Sequence, residues 1–140
     1  MPEDALELKK NLRCDMKVRR NALTDEEKKH AAANCLSKLK ELPEFMNADW
    51  IYAYIAYRNE LETADIISWC LSYGKHVAVP KVQGEIMHFY EITVLSDCVP
   101  GAFGILEPAG EKKDRITTPG FMLVPGLAFD KNGNRLGYGG

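Results

Sequence analysis

Two stretches near the start of the chain repeat apolar residues at helical spacing. In the first, every fourth position is apolar, at Leu8, Leu12 and Met16. This pattern predicts a helix over residues 4 to 21. The next segment, TDEE from Thr24 to Glu27, has the form of a capping box, in which a threonine hydroxyl and a glutamate carboxylate satisfy each other's backbone amides. We therefore predict a second helix from this box to about Leu42.

Short runs of aromatic and β-branched residues follow and predict strands. They lie at residues 50 to 57, 76 to 80, 86 to 90 and 121 to 125, and Pro80 is expected to end the second of them. Between the first two, the segment ETADIISWCLSYG has apolar residues on one helical face and Gly74 where a left-handed C-cap belongs. The order strand, helix, strand predicts a crossover connection in a parallel sheet. The fold class is therefore α/β.

Composition narrows the class of protein. A chain of 140 residues with 46% hydrophobic and 27% charged residues suits one globular domain spanning residues 1 to 140. No apolar stretch has membrane-spanning length and the N-terminus lacks a signal peptide, so we expect a cytoplasmic protein without membrane contact. Its four cysteines form no C-x-x-C pair, which favours reduced structural thiols. A formal charge of −2 disfavours nucleic acid as a main partner.

Charged residues at two places could bind a ligand. Lys9 and Arg13 lie four apart on the first predicted helix, so they share one face and could grip a polyphosphate, although a solvated basic face fits the spacing too. Glu60 and Glu62 follow a predicted strand, at the sheet edge where α/β proteins bind ligands. A carboxylate there could hold amino or ring nitrogen groups. Alternatively, Glu62 caps the next helix and Glu60 is simply exposed.

Two glycine-rich segments offer further candidates. Phe103 lies in GAFGILEP, where it could stack on a flat ligand or fill the core. The residues from Asp130 to Gly133 predict a turn, with Asn132 and Gly133 both able to take positive φ. Calcium is rejected because the glycine comes too early and the downstream glutamate is missing. The following segment RLGYGG could bind an anion through backbone amides and Arg135.

Taken together, the segments PGLAFDKNGNRLGYGG, KKNLR, NELET and GILEP resemble the 5-formyltetrahydrofolate cyclo-ligase family, also called methenyltetrahydrofolate synthetase. The resemblance covers nearly the whole chain, and the closing motif is its specific part. It implies a three-layer α/β/α sandwich with a mostly parallel central sheet. It also implies an enzyme that uses ATP and Mg²⁺ to convert 5-formyltetrahydrofolate into 5,10-methenyltetrahydrofolate through a phosphorylated formyl intermediate.

The resemblance also assigns roles to individual residues. Lys9 and Arg135 take the catalytic role, neutralising charge on the transferred phosphate. The ATP-binding set is Lys9, Lys10, Arg13, Arg135, Leu136, Gly137, Tyr138, Gly139 and Gly140. The substrate-binding set is Ile55, Glu60, Met87 and Phe103. No metal ligand is assigned, because the family's metal-binding aspartate lies in a part of the motif that would follow Gly140.

This departure from the family pattern predicts a fold that is incomplete at the C-terminus. We expect the 140-residue chain to be a fragment that is inactive by itself and prone to self-association, with the intact enzyme a monomer. A non-catalytic relative that binds folate or nucleotide is the alternative. A sugar-phosphate or coenzyme A enzyme of similar architecture is a more distant one.

Overall fold

The computed structural model describes residues 2–101, 104–109 and 114–137, and the bounds of its elements follow. The helices are α1 (Pro2–Asn21), α2 (Asp25–Lys40), α3 (Pro43–Asn47) and α4 (Ala64–Ser72), with a 3-10 turn at Leu95–Asp97. The strands are β1 (Trp50–Tyr52), β2 (His76–Gln83), β3 (Ile86–Ile92), β4 (Cys98–Pro100), β5 (Leu106–Pro108), β6 (Phe121–Met122), β7 (Ala128–Phe129) and β8 (Arg135–Leu136).

The described strands form a central sheet with the order β3-β2-β1-β6. Strand β1 lies parallel to both β2 and β6, whereas β2 and β3 form an antiparallel hairpin. Helix α4 connects the parallel pair β1 and β2, which is the predicted crossover. Two small antiparallel ladders, β4 with β5 and β7 with β8, do not pair with this sheet, although β5 packs against β2. The predicted α/β class with a mostly parallel central sheet is confirmed.

The capping box at the start of α2 forms as predicted. The Thr24 hydroxyl accepts a hydrogen bond from the Glu27 amide at 3.1 Å, and the Thr24 amide donates to Glu27 Oε1 at 3.0 Å. These bonds favour the charged carboxylate and lower the pKa of Glu27. Helix α2 ends at Lys40, before the predicted end at Leu42, because Pro43 begins the short helix α3.

The leucine repeat of α1 does not pack into the core. Leu8 and Leu12 remain 69% and 42% exposed, although the helix itself forms over nearly the predicted range. Arg13, whose side chain is half-buried, makes a hydrogen bond to the distant Gly137 carbonyl. The second half of α1, rather than its leucine repeat, therefore contacts a distant part of the chain.

The first predicted strand is shorter in the structure. Regular pairing ends at Tyr52, and the amide of Ala53 makes one more bond to the Ala78 carbonyl at 3.0 Å. Residues 53 to 57 then leave the ladder, although Ile55 stays buried. Strand β2 is longer than predicted because Pro80 does not end it. Since β1 stops opposite Ala78, Pro80 pairs with β3 alone among the described strands, and edge positions tolerate proline.

The hydrophobic core lies between the sheet and helices α2, α3 and α4. Phe45 is fully buried at its centre, stacked on Trp69 at 5.9 Å and edge-on to Phe121 at 5.4 Å between ring centroids. Nearby, Lys75 donates through Nζ to the carbonyl of Met46 at 2.7 Å and to that of Ala48. This buried ammonium satisfies carbonyl groups at the end of α3, which no further helical turn can reach.

The thiols in the core are free, as predicted. Burial raises the pKa of Cys70 to about 11 and also raises the pKa of Cys35. A thiol with a raised pKa is a poor nucleophile at neutral pH. These two cysteines are therefore packing residues.

Candidate functional site

A cavity of about 780 Å³ opens at the carboxyl end of β1, next to the β2–β3 hairpin. Its apolar wall consists of Ile55, Pro80, Val82, Met87, Phe89, Ile105, Leu106, Met122, Leu123, Val124 and Pro125. Polar side chains come from the second half of α1, from the turn that follows β1 and from β5, namely Lys17, Arg20, Asn21, Arg58, Asn59, Glu60 and Glu107. One apolar wall facing charged groups suits a flat, partly hydrophobic ligand that carries polar ends.

Glu60 lies in this cavity, and its turn is closed by two bonds. The Tyr57 amide donates to Glu60 Oε1 at 2.8 Å, and the Glu60 amide donates to the Tyr57 carbonyl at 3.3 Å. The glutamate is half-buried, so the alternative of a simply exposed Glu60 is wrong. Glu62 follows its predicted alternative role, because Oε1 accepts from the amides of Thr63 at 3.1 Å and Ala64 at 3.0 Å, at the start of α4.

The predicted substrate residues meet in the same cavity as far as they are described. Ile55 is buried in the wall, and Met87 contributes a more exposed side chain from β3. Both line the space beside Glu60. Phe103 lies outside the described residues. Ile55, Glu60 and Met87 therefore share one concave surface, although Ile55 and Met87 are more than 30 residues apart in the sequence.

The predicted nucleotide residues come together at α1. Arg13 Nε donates to the Gly137 carbonyl at 3.0 Å, across 124 positions of sequence. Lys9 and Lys10 are exposed on the preceding turns of the same helix. Leu136 belongs to β8, while Tyr138, Gly139 and Gly140 lie outside the described residues. The basic helix and the glycine-rich segment are thus neighbours in the fold.

Arg135 is exposed at the start of β8, and one of its donors is engaged. Its Nη1 donates to the Pro125 carbonyl at 2.8 Å. A guanidinium carries five N–H donors in a planar fork, so one bond to a carbonyl orients the group without using all of them. Pro125 also lines the cavity, which places Arg135 next to its wall.

The turn before Arg135 is organised by the side chain of Asp130. Its Oδ1 accepts from the amides of Asn132 at 2.9 Å and Asn134 at 2.8 Å, and its Oδ2 accepts from Asn134 Nδ2 at 2.8 Å. Within this turn Gly133 takes positive φ, at 85°, whereas Asn132, which the sequence also allowed to do so, does not. The carboxylate, rather than a pair of left-handed residues, holds this turn.

These bonds predict a pH dependence of the turn. The hydrogen bonds from Asn134, with smaller contributions from Asn132 and Gly133, lower the pKa of Asp130. A lowered pKa means that the bonds stabilise the turn above the ordinary carboxyl value of about 3.9, and that this contribution is lost as pH falls through the folded value. We expect the amide signals of Asn132 and Asn134 to move together in an acid NMR titration, and Asp130→Asn to shift them at neutral pH. Asp15→Asn, on α1, is the control, and unchanged signals in Asp130→Asn would contradict the assignment.

The sequence prediction missed the cations that line the cavity. Lys17 follows Arg13 by four residues and Arg20 follows Lys17 by three, so the spacing that selected Lys9 and Arg13 continues along the same helical face. This continued spacing is the feature of the sequence from which Lys17 and Arg20 could have been predicted. Arg58 and Asn59 carry no comparable signal, because they reach the cavity through the shape of a turn.

Residues 2–101, 104–109 and 114–137 contain neither a metal-binding cluster nor a membrane-spanning helix. No group of three or more His, Cys, Asp or Glu side chains in these ranges is placed to hold a metal ion. Among the helices described there, none combines the length and apolar character needed to cross a membrane. Within these ranges the site therefore consists of the cavity and the charged side chains around it.

Comparisons with known proteins agree on one family. The model of the 5-formyltetrahydrofolate cyclo-ligase family matches residues 5–140. The chain is 29% identical to 5-formyltetrahydrofolate cyclo-ligase of Mus musculus over 94% of the chain and 69% of the relative. It is 30% identical to the probable 5-formyltetrahydrofolate cyclo-ligase of Schizosaccharomyces pombe over 96% of the chain and 69% of the relative.

A solved structure supports the same assignment. The NMR structure of 5,10-methenyltetrahydrofolate synthetase from Aquifex aeolicus superposes with a TM-score of 0.82 at 32% identity, over 94% of this chain and 67% of that one. The match of the family model over most of the chain and the agreement in fold lead to one conclusion. The chain belongs to the 5-formyltetrahydrofolate cyclo-ligase family.

Proposed function

We propose that this chain carries the folate pocket and part of the nucleotide site of an ATP-dependent 5-formyltetrahydrofolate cyclo-ligase. The observation that carries the proposal is the cavity that brings Ile55, Glu60 and Met87 together beside α1. Its apolar wall suits the flat rings of a folate, and Glu60 suits the N–H groups of a pterin ring. Family membership supports the same substrate class.

The nucleotide is proposed to bind at the middle of α1. Lys9, Lys10 and Arg13 present cations there, and Arg13 already contacts the glycine-rich segment at Gly137. Phosphate oxygens are bound well by such cations together with backbone amides. From Arg13 the helix continues by one turn to Lys17, which lines the cavity. The two ligands would therefore lie side by side along one helix.

The proposed chemistry needs no protein nucleophile. The formyl oxygen attacks the γ-phosphorus of ATP and ADP leaves. The neighbouring N–H nitrogen then attacks the activated carbon, releases its proton to solvent, and inorganic phosphate leaves. Protein residues contribute by positioning the formyl group and by balancing the charge on the transferred phosphoryl group. Lys9 and Arg135 are the candidates for this second role, together with Arg13.

Magnesium is expected to arrive with the nucleotide. Mg²⁺ commonly binds through substrate phosphates and only one or two carboxylates. The part of the chain described here offers no cluster of three metal-ligating side chains, so its residues do not fit a metal held by protein groups alone. No step of the proposal is assigned to the ion.

The test combines binding with turnover. Calorimetry of the 140-residue chain should show binding of 5-formyltetrahydrofolate, and the longest natural polypeptide that contains this sequence should convert it to methenyltetrahydrofolate with ATP and Mg²⁺, followed by absorbance. Binding without turnover in that longer polypeptide would favour the alternative of a non-catalytic relative. Absence of folate binding in both would reject the proposal.

The basic pair on α1 gives a separate prediction. Lys9→Ala and Arg13→Ala should each raise the KM for ATP about ten-fold, because a charged contact to phosphate is lost. Stability should change by no more than ~1 kcal/mol in Lys9→Ala, since Lys9 is exposed, and by somewhat more in Arg13→Ala, which also loses the hydrogen bond to the Gly137 carbonyl. Lys29→Ala, an exposed cation on α2, is the matched control. Wild-type ATP kinetics in both α1 variants would refute the assignment.

A further inference from the structure

We propose that the cationic rim of the cavity, formed by Lys17, Arg20 and Arg58, binds the glutamate carboxylates of the folate substrate. The inference rests on the proposed function, since it names the part of the ligand that these side chains recognise. All three line the cavity, and they come from α1 and from the turn after β1. Lys17 and Arg20 follow Arg13 on the side away from Lys9, so they extend the basic face of α1 from the nucleotide region into the folate pocket.

The charge of the cavity favours an anionic end on its ligand. Its lining includes the three cations of the rim and two carboxylates, Glu60 and Glu107. One oxygen of Glu60 accepts the Tyr57 amide at 2.8 Å, which fixes that carboxylate within its own turn. A folate offers a flat aromatic body for the apolar wall and an amino-acid tail with two carboxylates for the rim. Arginine and lysine bind carboxylates through charge-assisted hydrogen bonds.

The turn that carries Arg58 is anchored to both N-terminal helices. Asn59 Nδ2 donates to Asn21 Oδ1 at 2.6 Å at the end of α1. Lys28 Nζ, on α2, donates to Asn59 Oδ1 at 2.8 Å. Because Asn59 follows Arg58 directly, these bonds hold the turn against the helix that supplies Lys17 and Arg20. The rim is thus assembled by the fold from two separate segments.

The backbone of Arg58 supports a functional role for its side chain. Arg58 has φ of 56°, in the left-handed region that a non-glycine residue seldom adopts. Such a conformation persists where the surroundings impose it, and it clusters at ligand sites. Here it accompanies a guanidinium placed over the Tyr57 ring at 5.0 Å, at the edge of the cavity. Glycine would adopt this backbone more readily but would bring no cation.

The same cations could instead contact phosphate, and the experiment separates the two sources. Calorimetry should compare three ligands, namely 5-formyltetrahydrofolate, the corresponding 5-formyltetrahydropteroate that lacks glutamate, and ATP. Lys17→Gln and Arg58→Gln are the test variants. Arg19→Gln is the control, because Arg19 is an exposed cation of α1 that does not line the cavity.

The expected result is selective. Each test variant should bind 5-formyltetrahydrofolate about ten-fold more weakly, while its affinity for the pteroate and for ATP stays at the wild-type level. Arg19→Gln should behave as wild type with all three ligands. Equal weakening of both folates, weakening of ATP alone, or unchanged binding would each overturn the assignment to glutamate carboxylates.

The proposed function fails separately from this inference. Wild-type protein that binds neither folate would reject the folate pocket itself, and the rim assignment with it. Wild-type protein that binds 5-formyltetrahydrofolate and the pteroate equally well would support the pocket and reject only the assignment of the rim. Urea unfolding of each variant shows whether a loss of binding comes from a loss of folded protein.

Discussion

Phe45→Ala should lower the free energy of unfolding by about 3 to 5 kcal/mol, the largest effect expected of a single substitution here. The side chain is fully buried and lies between the rings of Trp69 and Phe121. Its removal leaves a cavity where α3, α4 and β6 meet, and it also removes the ring beneath the Lys75 ammonium, whose Nζ lies 5.7 Å from the Phe45 centroid. Urea or guanidinium unfolding measures the loss.

A phenylalanine outside the core provides the control for this measurement. Phe129 is 64% exposed on β7, so Phe129→Ala should change the stability by less than about 0.5 kcal/mol. A loss below 1 kcal/mol in Phe45→Ala would show that the contact of α3 with α4 and the sheet contributes little. Phe45→Leu should lie between the two, because it fills part of the cavity.

Glu60→Gln should weaken binding of 5-formyltetrahydrofolate by about 1.5 to 3 kcal/mol, the cost of losing a charged hydrogen bond. The substitution keeps the size of the side chain and leaves an oxygen that can still accept the Tyr57 amide, so the turn should persist. ATP binding should be unchanged, since Glu60 lines the cavity while Arg13 and Gly137 meet at another place along α1. Calorimetry with each ligand tests both statements.

Glu62→Gln is the matched control for Glu60→Gln. Glu62 lies two residues away, but its carboxylate accepts amides at the start of α4 and does not line the cavity. The control should therefore lower stability slightly and leave folate affinity intact. If Glu60→Gln instead abolishes nucleotide binding while folate binding persists, the two subsites have been assigned the wrong way round.

The fold was predictable from sequence where a local pattern had one structural meaning. The capping box at Thr24 and Glu27, the apolar face of α4 and the left-handed Gly74 were each read correctly. The lengths of the strands could not be predicted in this way, because they depend on which strands pair alongside. β1 stops at Tyr52 although the apolar run continues, and β2 passes through Pro80 because β3 pairs with it further along.

The candidate site was predictable in part for the same reason. Helical spacing identified Lys9 and Arg13 and, if followed further, leads to Lys17 and Arg20. The meeting of Arg13 with Gly137 depends on tertiary structure, and resemblance rather than pattern linked the two segments. Arg58 and Asn59 could not be found from sequence, since their placement depends on a left-handed backbone and on bonds to two different helices.

The continuity of α1 has a consequence for the order of events in the reaction. Arg13 and Lys17 are separated by four residues, which is about 6 Å along a helix axis. A nucleotide held near Arg13 and the glutamate tail of a folate held at Lys17 would thus both be bound by one rigid helix. We expect initial-rate kinetics with intersecting lines, the signature of a ternary complex, and mutual enhancement of the two affinities, because each ligand immobilises the helix on which the other depends.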